Sequence, residues 1–273
     1  MIDLARVDER AYDLVTPVIE ELASQVGVDP DSILLVGAGC RDVLHAAFGH
    51  SFPVRATTDT DLGIAVSDWT ISERIEDRFP RIGSNGIRYR IAGIAVDIVP
   101  FGEVEDPDGI SQPAPRHAEL AVFGFRDVHE RALPLTLPSG QTIRLPRPAG
   151  YVALKMRSWI DRSPNYAGDK DAKDLALAAL WYQSAQEVEN RLYDTDDGFE
   201  VLRELDMDAD VAAVRLLDLD VAAQLSPARR HDLARRRAER DLEALARDFT
   251  LPAGAPRSLD LARRRVFVAQ LRL

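Results

Sequence analysis

The chain has 273 residues and a mass of 30.3 kDa, with 46% hydrophobic and 29% charged residues, enough for one large or two small domains with their own cores. Its 34 Lys and Arg against 45 Asp and Glu give a formal charge of −11, which argues against a nucleic-acid binder that works by global counterion release. A single cysteine, Cys40, excludes an internal disulfide framework and a Cys-rich zinc site, and the five histidines form no His-x-x-x-His pair.

The first ten residues hold no apolar core of a signal peptide, and no later apolar run approaches the ~18 residues of a membrane span. A soluble, cytoplasmic protein with no membrane partner is therefore expected. Tyr12, Val15, Val18, Ile19 and Leu22 recur at helical spacing and predict an opening helix over residues 7–25, stopped by Gly27. Ile33–Val36 reads as a short buried strand, Gly37-Ala38-Gly39 as a turn, and Arg41–Phe48 as a helix. A second strand over Asp61–Val66, a helix over Trp69–Phe79 and a hairpin of Gly86–Ala92 and Ile94–Pro100, turning at Gly93, complete a mixed first hundred residues.

Residues 102–118, rich in Gly, Pro and Asp, predict a long loop of a length uncommon in compact domains. Leu133–Leu137 and Gln141–Leu145 read as a second hairpin around Pro138-Ser139-Gly140. From Pro148 onward the pattern is helical: residues 148–161, 169–193, 197–204, 208–223, 226–248 and 257–271. The expected fold class is α+β, with a mixed-sheet domain over residues 1–147 and an all-helical domain over residues 148–273.

Charge is distributed unevenly. From Ser226 to Leu273 there are 12 Arg and six acids, whereas residues 1–225 carry 22 basic and 39 acidic residues. The Arg-rich tail reads either as a solvated helix face laced with i,i+4 pairs to Glu239, Asp241 and Glu243, or as a patch for phosphate or an acidic partner. Lys155, Lys170 and Lys173 are the three lysines among 34 basic residues, and their grouping suggests a place where a compact, rotatable ammonium is wanted.

Carboxylates carry the strongest chemical signal. Asp59 and Asp61 lie two apart at the start of a strand, so both side chains point to one face. Asp97 interrupts the apolar run Ile94–Val99, where an unpaired buried charge is costly. If the two strands are neighbours, three acids converge and raise one another's pKa unless cations lie between them. Hard divalent ions, Mg²⁺ or Mn²⁺, suit such an oxygen set, and two of them can activate a hydroxyl and clamp an in-line phosphoryl transfer. Gly37-Ala38-Gly39, opening a helix, offers backbone N–H groups and a positive dipole end to triphosphate oxygens.

The order Val36-Gly37-Ala38-Gly39, Thr58-Asp59-Thr60-Asp61-Leu62 and Val96-Asp97-Ile98 resembles the polymerase-β-type nucleotidyltransferase superfamily. A second block, Lys155-Met156-Arg157-Ser158-Trp159-Ile160-Asp161-Arg162 leading to Lys170-Asp171-Ala172-Lys173-Asp174, is similar to the Lys…Arg…Lys-Asp-x-x-Asp motif of its AbiEii/AbiGii abortive-infection toxin branch. The resemblance runs from about residue 30 to residue 220.

It implies a nucleotidyltransferase domain completed by the helical domain, with Asp59, Asp61 and Asp97 as metal ligands and Asp97 helping to deprotonate the acceptor. Lys155 would contact triphosphate. Asp171 or Asp174, past a flexible Asn165-Tyr166-Ala167 stretch, would orient that lysine or the acceptor. Gly37, Ala38, Gly39, Arg41, Arg162 and Lys170 would bind nucleotide. Arg41-Asp42 also matches the Gly-Gly-x-x-Arg-Asp turn of CCA-adding enzymes, and the alternative for that pair is an ordinary ion pair on the first helical turn.

Mg²⁺ or Mn²⁺, an NTP, a tRNA 3′ end as acceptor and a cognate antitoxin are the implied cofactor and partners. Two alternatives stand beside this: transfer to a small molecule such as an antibiotic, and an NTP-binding module without catalysis. Intact Asp59, Asp61 and Asp97 argue against the second.

Overall fold

The computed structural model of the chain describes residues 2–113, 119–165 and 168–272. The chain forms two compact units, one of Leu4–Ala46 and Ala56–Arg147, the other of Met1–Asp3, Ala47–Arg55 and Pro148–Leu273. The α+β class and the mixed sheet expected from the sequence are both present.

The first unit contains α1 (Thr16–Glu21), β1 (Ile33–Val36), α2 (Gly37–Ala47), β2 (Asp59–Val66), α3 (Thr70–Arg78), β3 (Arg88–Ile91) and β4 (Ile94–Gly102). A short pair β5 (Ile110–Ser111) and β6 (Leu120–Ala121), then α4 (Phe125–Glu130), β7 (Leu133–Thr136) and β8 (Thr142–Leu145) follow. Among the described residues six strands make one sheet in the order β3-β4-β2-β1-β8-β7. The β2–β4 and β1–β8 pairs are parallel and the other three antiparallel. β1, apolar throughout and buried at all four positions, lies inside the sheet, as a strand covered on both faces should.

The opening helix is shorter than its periodicity suggests. α1 starts at Thr16 with Pro17 in its first turn and passes into a π-helical turn over Leu22–Val26, while 3₁₀ turns precede it. Pro17 has no N–H and its ring clashes with the preceding turn, so a helix cannot run through it. The apolar stripe is still buried, from Tyr12 to Leu22, and Gly27 closes it in the left-handed region at φ 76°. Gly37-Ala38-Gly39 is likewise the first turn of α2 rather than a separate loop. The long loop carries the β5–β6 pair, and its residues 114–118 lie outside the described residues, as do Tyr166 and Ala167 of the stretch expected to flex.

The helical unit contains α5 (Pro148–Arg162), α6 (Asp169–Ser184), α7 (Gln186–Asp194), α8 (Asp196–Glu204), α9 (Ala209–Gln224), α10 (Pro227–Ala238), α11 (Leu242–Asp248) and α12 (Leu261–Gln270). The helix expected over residues 169–193 breaks at Ala185, which is extended. That over residues 226–248 breaks where Asp241 caps α11 by accepting from the Glu243 N–H. α5, α6 and α9 pack on one another and bury Tyr151, Trp159 and Trp181. The sequence boundary put all of residues 1–147 in one domain, but residues 47–55 belong to the helical unit: Phe48 stacks on Trp181 at 5.8 Å and the His50 ring nitrogen meets Ser184 Oγ at 3.0 Å. Among the described residues, no helix is long and apolar enough to cross a membrane.

Several of the tail arginines are engaged with acids of their own unit. Arg235 pairs with Asp232 and Glu239, Arg236 with Asp232, and Arg265 with Glu243; of the pairs expected from spacing, the one to Glu239 is i,i+4, and Glu243 is held from the more distant Arg265. Arg263 donates to both oxygens of Asp208, which also caps α9 through the Val211 N–H. The Arg263 bond is the main reason the Asp208 carboxyl is held below its usual range. A depressed carboxyl favours the fold above its unfolded pKa of about 4, and that contribution is lost as pH falls through the folded value. Asp208→Asn is therefore expected to lower the thermal midpoint at neutral pH and to flatten its fall on acidification, as thermal melts between about pH 7 and pH 3 would show.

Candidate active site

Strand alternation puts Asp59 and Asp61 on one face of β2. The parallel register sets Asp97 of β4 directly beside Asp61, and the antiparallel register sets Arg88 of β3 directly beside Asp97. Directly opposed residues share a face, so three acids and one arginine collect on three neighbouring strands. Two strand spacings, roughly 9–10 Å, separate Arg88 from the Asp59 strand, and a long side chain covers them. Arg88 Nε donates to Asp97 Oδ1 at 2.8 Å and Nη2 to Asp97 Oδ2 at 2.7 Å; the same Nη2 reaches Asp59 Oδ2 at 2.9 Å.

Asn85 Nδ2 adds a bond to Asp97 Oδ1 at 3.1 Å, and Thr57 Oγ1 donates to Asp59 Oδ1. The bond to Asp97 is the chief cause that holds the Arg88 guanidinium above its usual pKa, against partial burial. Arg88, Asn85 and Thr57 do not appear among the residues singled out from the sequence. A signal for Arg88 existed, because Ala92 and Gly93 form a two-residue turn with φ of 50° and 78°. Such a turn fixes the hairpin register and places residue 88 opposite residue 97.

Asp61 rests on Gly37. With φ at +61°, Gly37 is in the left-handed region, and a Cβ there would stand 1.9 Å from Asp61 Oδ2, so only a glycine lets the carboxylate lie against the start of α2. The first-turn N–H groups of α2 have no intrahelical acceptors, and the positive end of its dipole faces this carboxylate. Gly37→Ala is expected to displace Asp61 and to lower the thermal midpoint by several degrees, through both the clash and backbone strain of about 1–3 kcal/mol. Divalent-ion binding measured by calorimetry should weaken in the same variant.

Farther along this face Gly63 leaves room for Phe125 of α4, whose ring meets that of Phe101 at 5.6 Å. Aromatic packing thus covers one end of the face, and the acids occupy the other, where their side chains remain part-exposed. Arg41, expected at the nucleotide, is completely buried and paired with Asp42 at 2.7 Å. That contact is the ion pair named as the alternative for Arg41-Asp42.

The all-oxygen donor set of Asp59, Asp61 and Asp97 fits a hard divalent ion in chemistry and in sharing one face. As the side chains stand, however, no group of three or more His, Cys, Asp or Glu among the described residues is gathered closely enough to hold a metal. Arg88 Nη2 lies between two of the acids instead.

The second motif block is gathered inside the helical unit. Lys155 of α5 pairs with Asp174 at 2.7 Å and Asp171 at 3.5 Å, both on α6 and essentially inaccessible, and lies over the Tyr151 ring. Arg162 holds the other oxygen of Asp171 at 2.8 Å, and Arg55 stands 3.8 Å from Asp174. Asp171 and Asp174 are one helical turn apart, which is why both reach the same ammonium. Lys170 is exposed and outside this cluster, and Lys173 forms a surface pair with Asp169. Comparison with protein-family models, curated proteins and solved structures found no match to this chain.

Proposed function

We propose that the chain is a nucleotidyltransferase that uses Mg²⁺ or Mn²⁺, two ions, to move an NMP from an NTP to an acceptor hydroxyl. The observation that carries this reading is the register of Asp61 beside Asp97, with Asp59 on the same face and Gly37 bare beneath Asp61. In the reaction the acceptor oxygen forms a bond to the α-phosphorus, the bond between that phosphorus and the β-bridging oxygen breaks, and pyrophosphate leaves. Asp59, Asp61 and Asp97 would hold the divalent ions, which when bound acidify the attacking hydroxyl and stabilise the leaving pyrophosphate. Asp97 takes the hydroxyl proton, and the first-turn N–H groups over Gly37–Gly39 receive phosphate oxygens.

The resemblance of the two motif blocks to the toxin branch supports a tRNA 3′ end as acceptor and a cytoplasmic toxin restrained by an antitoxin. A second reading, transfer to a hydroxyl of a small molecule, is favoured by the internal pairing of Arg235, Arg236, Arg263 and Arg265, which leaves less free positive charge for RNA. The deciding experiment incubates the protein and its Asp59→Ala variant with total tRNA, Mg²⁺ and each α-labelled NTP in turn. Label in tRNA with the unaltered protein alone is expected. Pyrophosphate release that requires small hydroxylated compounds would move the acceptor to the second reading, and NTP turnover that survives Asp59→Ala would overturn both.

A further inference from the structure

Arg88 is the residue of this site for which the motif accounts least, and its geometry is that of a bridging cation. One guanidinium nitrogen contacts an oxygen of Asp59 and an oxygen of Asp97 at 2.9 and 2.7 Å, while Nε satisfies the second oxygen of Asp97. Both Asp97 oxygens accept from Arg88, and one accepts also from Asn85. Charge-assisted, forked bonds of this kind are short, strong and geometrically specific. For Asp97 to present its oxygens to a divalent ion, the fork must open.

We propose that Arg88 is the resident counterion of the three-acid face, displaced when divalent ions bind and then engaging the phosphates of the nucleotide; this rests on the nucleotidyltransferase reading above. The side chain is free to make that exchange. It comes from the edge strand of the sheet, is about one-third exposed, and is preceded by a segment with Gly83 and Gly86 in left-handed conformations. A planar guanidinium serves both partners, because its donors match a carboxylate and a phosphate equally well. Electrostatics sets the direction: a divalent ion carries twice the charge of the guanidinium and competes well for the carboxylates that Arg88 bridges, and an arriving triphosphate gives the released guanidinium a new anion on the same face.

The proposal predicts effects of opposite sign. Mn²⁺ binding, followed by electron paramagnetic resonance without nucleotide, is expected to be about three- to tenfold tighter in Arg88→Gln and in Arg88→Met, as loss of a partly exposed charged pair implies. Arg90→Gln serves as control, because Arg90 lies two residues along the same strand and bonds to the Gly93 carbonyl, so it reports the general effect of removing a positive charge. With Mg²⁺ present, affinity for α,β-methylene NTPs tested one base at a time should fall about tenfold in the Arg88 variants. Thermal melts establish that the variants are folded. A gain in Mn²⁺ affinity no larger than that of Arg90→Gln, or unchanged nucleotide affinity, overturns the proposal and leaves the nucleotidyltransferase reading standing. If neither the unaltered protein nor any variant takes up Mn²⁺, with or without nucleotide, the metal-dependent reading falls and this one with it.

Discussion

Asp61→Asn is expected to lower NTP turnover by at least about a thousandfold, equivalent to ~4 kcal/mol of transition-state stabilisation, with no loss of fold. The amide has the size and shape of the carboxylate, so the contact with the Cα of Gly37 and the strand register beside Val36 and Asp97 are undisturbed. What disappears is one negative charge at the centre of the acid face, the residue flanked by Asp59 along its own strand and by Asp97 across to the next. A hard divalent ion binds an amide oxygen far more weakly than a carboxylate. Relief of repulsion among the acids is offset by loss of a charge at the positive end of α2, so the thermal midpoint should change by no more than a few degrees. Single-turnover pyrophosphate release and a thermal melt on the same sample test both parts. Turnover within tenfold of the unaltered protein would remove Asp61 from the chemistry.

Lys155→Met is expected to destabilise the helical unit by about 3–5 kcal/mol, the cost of leaving buried carboxylates without their closest cation. Asp171 and Asp174 are 0% and 1% exposed, and the Lys155 ammonium at 2.7 Å is nearer to Asp174 than Arg55 is at 3.8 Å. Arg162 continues to hold Asp171, so Asp174 bears most of the loss. A fall in the thermal midpoint of about 10–20 °C follows from that energy for a unit of this size. The transition is best followed by fluorescence of Trp159 and Trp181, both buried in this unit, since a chain of two units need not melt in one step. Adding Asp174→Leu to Lys155→Met should recover much of the midpoint, because an apolar residue replaces a buried charge that has lost its closest cation. A double variant no more stable than the single one would show that the lysine acts mainly through its packing over Tyr151.

Much of this molecule was legible in the sequence because local rules act over short distances. Alternation placed Asp59 and Asp61 on one face, Gly93 marked the turn of the β3–β4 hairpin, and the apolar stripe from Tyr12 to Leu22 identified a buried segment even though Pro17 kept it from being one continuous helix. The helical pattern likewise predicted helices over residues 148–161 and 169–193, the family resemblance implied that Asp171 or Asp174 orients Lys155 or the acceptor, and the structure has Lys155, Asp171, Asp174 and Arg162 in one ion cluster. Class and mixed sheet followed from the order of these elements.

Tertiary structure alone decided three further matters. Whether β2 and β4 are neighbours is a parallel pairing across more than thirty residues, with no turn to set it, so the convergence of Asp61 and Asp97 was a condition in the sequence and a fact only in the fold. Burial of Arg41 depends on what packs around α2, and the transfer of residues 47–55 to the helical unit depends on Phe48 finding Trp181 more than a hundred residues away. Arg88 lies between these cases: its hairpin register was local and readable, but its reach to Asp59 required β2 to lie on the far side of β4. Sequence period specifies which side chains share a face of their own element, and only long-range packing specifies which faces meet.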